Sequence, residues 1–141
     1  MTDERRVRFA RRTLAAFWIF AGAMHFIRPR FYDAIMPPPL DRRAREVTYV
    51  SGVAEIAGGV AAAAGPPRVA RWWLLATCFG VYPANVWMAL RPEKFPDVPR
   101  WALYARLPLQ AVLIAQVWRA ADRHNASIET EHRPPPVPRR R

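Results

Sequence analysis

A single cysteine, Cys78, excludes an intramolecular disulfide and CxxC exchange chemistry. Its place inside an apolar run makes it read as an inert buried thiol. The chain shows no glycine-rich nucleotide loop, and Ser51 lacks the strained turn that exposes a nucleophile. His, Cys and Glu do not recur at metal-ligand spacing, so no metal is expected. These gaps speak against a free-standing enzyme. The most informative scarcity is of charge within four long stretches. Trp72 to Leu90, WWLLATCFGVYPANVWMAL, has no charged residue in nineteen. A soluble helix of that length carries a polar face.

Charge is plentiful elsewhere. The net charge is +11, and 21 of the 22 basic residues are arginine. Such a balance raises the question of nucleic acid, but a helix that reads DNA would carry its own arginines. Arginines flanking apolar runs are instead how membrane helices are anchored. The lipid bilayer, not nucleic acid, is the expected partner.

Four spans follow, at about residues 10–27, 47–65, 70–90 and 101–119. The apolar part of the first, Thr13 to Ile27, has only fifteen residues. That covers roughly 22 Å of a ~30 Å hydrocarbon core, a shortfall that snorkelling arginines at both ends can supply. A competing reading is an export signal, with Arg11-Arg12 ahead of the run and Ala21-Gly22-Ala23 as a cleavage site. Three further apolar runs speak against it. In the second, VTYVSGVAEIAGGVAAAA, five Val or Ile residues each favour insertion by roughly 0.3–0.6 kcal/mol, while the central Glu55 opposes it by about 2.5–3.5. This helix has to be held by its neighbours. Nine of its eighteen residues are Gly or Ala, which allow close approach. Pro83 and Pro108 lie inside the third and fourth spans, tolerable where freed carbonyls find partners. Five of the six tryptophans sit near span ends, as an interfacial belt places them.

The expected fold is therefore all-α: an antiparallel four-helix transmembrane bundle over residues 1–119, followed by a disordered, basic, proline-rich tail over 120–141. With four spans, both termini share one side. That side carries thirteen Lys and Arg and the other side eight, which favours cytoplasmic termini in the inner membrane.

The topology also places the polar residues. His25, Glu55, Asn85, Arg106 and Gln110 all fall roughly 3–14 Å from the same membrane face, although four helices supply them. Ser51 lies one turn before Glu55 on the same face, and Arg106 one turn before Gln110. An acid and a guanidinium at similar depth, each costly against lipid, are expected to pair as Glu55–Arg106. The cluster His25, Ser51, Glu55, Asn85, Arg106 and Gln110 is either a functional site or a network that fixes helix register. His25 lies close enough to a membrane end to face water as well. The loop RPRFYDAIMPPPLDRRARE, on the same side, offers Phe31, Tyr32, Ile35 and Met36 for a short interfacial helix before Pro37-Pro38-Pro39. A lid and a plain connector both fit.

The motifs GAMHFIRPRFYDAIMP, SGVAEIAGG, YPANVWM and RLPLQ, in this order, resemble the DoxX-like family of small bacterial four-span membrane proteins. The resemblance covers about Gly22 to Gln110. It implies that His25, Pro29, Pro37, Ser51, Gly52, Glu55, Gly59, Pro83, Asn85, Arg106 and Gln110 are the family's characteristic positions. It also implies two kinds of function. One is an accessory subunit of a membrane redox system, in which the cluster binds a quinone or a small anion, Arg106 holds charge or a carbonyl, and Glu55 or His25 relays protons. The other is a non-catalytic assembly factor for a membrane or periplasmic protein partner, or for a second copy of the chain, with a purely structural network. Without paired cysteines, the thiol-disulfide roles of some relatives do not carry over. The charge count predicts that a reporter fused after Arg141 is active in the cytoplasm; activity only outside it would reverse the orientation.

Overall fold

The computed structural model describes residues 3–38 and 40–131. Among them are five α-helices and no strand: α1 (Asp3–Ile27), α2 (Pro29–Ala34), α3 (Ala44–Ala64), α4 (Pro67–Leu90) and α5 (Arg100–Glu131). Short 3₁₀ turns at Leu40–Arg43 and Pro92–Lys94 lead into α3 and follow α4. The all-α expectation holds. Two segments, Leu40–Ala64 and Pro67–Leu90, are long and apolar enough to cross a membrane.

Local sequence explains the helix ends. Pro29 begins α2 and Pro67 begins α4, at first-turn positions where a missing N–H costs nothing. The end of α3 is held by the first helix: Arg11 donates from Nε to the Ala62 carbonyl (3.0 Å) and from Nη2 to the Gly65 carbonyl (3.1 Å). A cation there also complements the helix dipole. The sequence reading ends the bundle at Arg119, but α5 continues to Glu131. From Ala120 to Glu131 there is neither Pro nor Gly to stop it, and the first break is Pro134. Residues 132–141 of the expected disordered tail lie outside the described residues.

The long helices pack as two hairpins, α1 with α3 and α4 with α5, joined chiefly along α3 and α4. Glycine sets the first contact. A Cβ on Gly22 would lie 2.6 Å from the Gly52 carbonyl oxygen, and one on Gly52 would lie 2.8 Å from His25 Cβ. Gly59 is equally tight against Ile19 and the Ala15 carbonyl. One residue earlier, about 100° round the helix, Gly58 receives the Leu74 side chain of α4, and Trp73 Nε1 donates to the Ala54 carbonyl at 2.8 Å. The small residues of α3 thus let it touch two helices at once. One apolar cluster joins Ala15, Trp18, Ala62, Leu74, Cys78 and Val117; another, towards the α2 end, joins Ile35, Met88, Phe95 and Leu103.

The distribution of polarity is partly inverted. Phe20, Val50 and Phe79 are 66%, 68% and 65% exposed, whereas His25, Thr48, Glu55 and Gln110 are buried. Trp72, Trp73, Trp101 and Trp118 are exposed near helix ends, and Trp18 is buried in the core. Arg71 lies 5.0 Å from the Trp118 ring centroid, and the Trp118 and Trp72 rings meet edge to face. The glycine geometry predicts opposite outcomes for two alanine substitutions. Gly22→Ala should destabilise by about 1–3 kcal/mol through overpacking. Gly80→Ala, whose Cβ meets nothing within 4 Å, should stabilise by roughly 0.5–1 kcal/mol through helix propensity. Thermal unfolding in detergent checks both, and an undisturbed Gly22→Ala protein would refute the close contact.

Candidate functional site

The buried polar residues converge on a cavity of about 190 Å³. His25 comes from α1, Tyr32 from α2, Ser51 and Glu55 from α3, Asn85 from α4 and Arg106 from α5. Five of the six residues singled out in the sequence therefore line one space. Gln110, the sixth, lies behind the wall. Its Oε1 accepts from Asn85 Nδ2 (3.2 Å), and its Nε2 donates to the Cys78 carbonyl (2.8 Å). That strap crosses from α5 to α4 just before the turn that Pro83 interrupts, and it holds the Asn85 amide in place.

The expected Glu55–Arg106 pair is not made. Both residues line the cavity, but among the described residues Glu55 Oε2 is buried without a hydrogen-bond partner. Its basic neighbour is His25, whose Nδ1 lies 3.8 Å from Oε2. That distance is too long for a hydrogen bond. Arg106 instead holds its guanidinium 5.9 Å from the Phe31 ring centroid. The reason is angular. Depth in the bundle sets height, whereas α3 packs against α1 and α4, so α1 supplies the nearest neighbour of Glu55.

His25 is buried rather than facing water. Its Nδ1 lies 3.1 Å from the Ala21 carbonyl oxygen. A carbonyl only accepts, so Nδ1 carries the proton, and in the neutral ring Nε2 is left as an acceptor. The ring stacks on Tyr32, with centroids 3.7 Å apart. The arrangement offers a ligand acceptors at Glu55, donors at Arg106, and groups of both kinds at Ser51 and Asn85. Among the described residues no three His, Cys, Asp or Glu side chains form a metal-binding group.

The loop after α1 covers this space. Tyr32, Ile35, Met36, Pro37 and Leu40 contribute to the cavity wall, and Ile35 and Met36 are buried. Between lid and connector, the geometry favours the lid. Asp33 ties it down: Oδ1 accepts from Thr48 Oγ1 (2.8 Å), and Oδ2 accepts from Arg45 Nε (2.8 Å). Burial works to raise the Asp33 carboxyl, but the hydrogen bonds from Arg45 and Thr48 outweigh it and hold it below its ordinary value. Thr48 and Asp33 escaped the sequence reading. Thr48 was detectable, since Thr48, Ser51 and Glu55 fall at i, i+3 and i+7 on one helical stripe. Nothing local marks Asp33 as its partner.

A family model described as a domain of unknown function, DUF8561, matches residues 14–121. The chain belongs to that family. No curated protein matches it, and no solved structure does. The cavity walls, from Ala21 to Arg106, lie wholly within the DUF8561 region, as do Asp33, Arg45 and Thr48.

The Asp33 clasp carries a pH dependence of definite sign. The folded carboxyl titrates below the unfolded one, so the clasp contributes fully above the ordinary carboxylate range. It is lost as pH falls through the folded value. Amide-exchange protection of residues 29–36, normalised to the intrinsic rate, should fall in that acid window. Thr48→Val should lower it by at least roughly tenfold at neutral pH, the worth of one charge-assisted hydrogen bond. Protection equal to wild type in Asp33→Asn would refute the clasp.

Proposed function

We propose that this protein is an antiparallel four-helix transmembrane bundle in the inner membrane, with α1, α3, α4 and α5 as spans and cytoplasmic termini. Its cavity takes the ring of a quinone, and it serves as an accessory subunit of a membrane redox system. The partly inverted polarity supports the membrane reading: large apolar side chains point outward while His25, Thr48, Glu55 and Gln110 are buried. Two helices meet the spanning criterion on their own. In α1 and α5, apolar stretches are flanked by arginines that can reach the headgroups.

One observation carries the ligand reading. Glu55 is a buried carboxyl with an unpartnered oxygen beside a ring-sized cavity, and Arg106 lines the same space without pairing to it. A register-fixing ion pair would be closed. Here the two groups are left available to a third. A quinol hydroxyl can donate to Glu55 while a quinone oxygen accepts from Arg106. A small anion fits less well, because it would lie beside the Glu55 carboxyl. In His25, with Nδ1 held by Ala21, Nε2 is the ring position left for proton exchange. The resemblance of the chain's motifs to the DoxX-like proteins allows this role and the assembly role alike.

A second reading has its own support. Asn85, Gln110 and the Cys78 carbonyl form a satisfied strap that needs no ligand, as in a non-catalytic factor that stabilises a membrane or periplasmic partner. Native mass spectrometry from mild detergent separates the two. The quinone reading predicts a bound quinone in the wild type, with occupancy falling about tenfold or more in Arg106→Ala, the loss of one charged hydrogen bond. A bare chain carrying one stoichiometric protein partner would replace it with the assembly reading.

A further inference from the structure

We propose that the cavity is entered sideways from the bilayer, through a gap in α4 at Gly80. Its ligand is then an amphiphile whose ring-sized polar head reaches Glu55 while an apolar tail lies in the gap. The proposal rests on the membrane and ligand readings above.

Gly80 belongs to the cavity wall and to the exposed surface at once. Pro83, one turn on, shares both properties. A Cβ on Gly80 would meet nothing within 4 Å, whereas Gly22, Gly52, Gly58 and Gly59 each accommodate a neighbouring helix. Gly80 therefore serves no helix contact. What its missing side chain leaves is an opening. Gly80 lies ten residues from Leu90, so it sits about 15 Å from that end of the helix. In a core ~30 Å thick, this is the level of the acyl chains, not of the headgroups. Phe79 beside it is also exposed, as expected of a lipid-facing rim.

The other end of the cavity is less open to traffic. Tyr32, Ile35 and Met36 cover it, and Asp33 fastens α2, which carries Tyr32 and leads into Ile35 and Met36, to α3 through Thr48 and Arg45. Leu40 marks the rim there. Size then limits the occupant. The ~190 Å³ space somewhat exceeds a cavity of roughly 150 Å³ known to hold benzene. It has room for a substituted ring but none for a long chain, so a tailed molecule has to leave its tail outside. Glu55 and Arg106 require that the ring carry both a donor and an acceptor.

The test uses two benzoquinols with the same ring, one bearing a decyl chain and one a methyl group. Each is titrated into the full chain in lipid nanodiscs, with tryptophan quenching as the readout. Wild type should bind both. Gly80→Trp should weaken the decyl compound at least about tenfold and leave the methyl compound within about twofold. Gly80→Leu, a smaller plug, should act in the same direction, and matched melting curves establish that both variants are folded. If the plugged variants bind the decyl compound as wild type does, or lose both compounds equally, the lateral gap is overturned while the ligand reading stands. If wild type binds neither compound, the quinone reading fails and the gap fails with it.

Discussion

The approach of α1 to α3 through Gly22 and Gly52 is the constraint on which the rest depends. With the Gly52 carbonyl oxygen 2.6 Å from where a Gly22 Cβ would lie, no larger residue fits without separating the helices. That contact brings His25 beside Glu55, while Pro29 ends α1 and starts the next helix by local sequence. The contact therefore sets where the short helix begun by Pro29 lies over the cavity. In the proposed membrane setting there is no hydrophobic drive between helices, and association depends on such dispersion contacts and on polar groups. The glycines provide the first and the buried cluster the second.

The cluster itself divides into a satisfied part and an open part. Gln110 uses its carbonyl oxygen on Asn85 and its amide on the Cys78 carbonyl. Asp33 uses both carboxylate oxygens on Thr48 and Arg45. Glu55 alone among these side chains keeps a buried oxygen without a hydrogen bond. Two closed networks thus stand beside one buried carboxyl oxygen left open, and they fix the helices that carry the cavity wall. Such pre-organisation lowers the cost of binding, because the ordering is already done in the fold.

Much of this was legible in the residues. Charge-poor runs bounded by arginine marked the long helices, whereas the prolines that begin α2 and α4 were not read as helix starts. Counting along alternating helices placed His25, Glu55, Asn85 and Arg106 at one level, and the cavity does contain them. The same count paired Glu55 with Arg106, which the fold does not do. Depth is one coordinate of two, and the angle around the bundle depends on which helices touch. That angle was written in Gly22, Gly52 and Gly59, whose role emerges only when their partners are known. Compositional bias also misplaced the end of α5. The polar residues after Arg119 suggested disorder, but an alanine-containing stretch without Pro or Gly carries the helix on to Glu131.

The bond from Arg11 to the end of α3 has a mechanical consequence. The first hairpin is pinned at both extremities: Arg11 grips the Ala62 and Gly65 carbonyls at one, and the Asp33 clasp ties loop to helix at the other. The second hairpin is braced internally by the Gln110 strap. Each half is then a stiff leaf, and the α3–α4 contact along Gly58, Leu74, Ala54 and Trp73 acts as the spine between them. Glu55 rides on one leaf and Arg106 on the other. The spine, with the packing of Ala15 and Trp18 against Val117 beside it, therefore sets the span between acid and guanidinium.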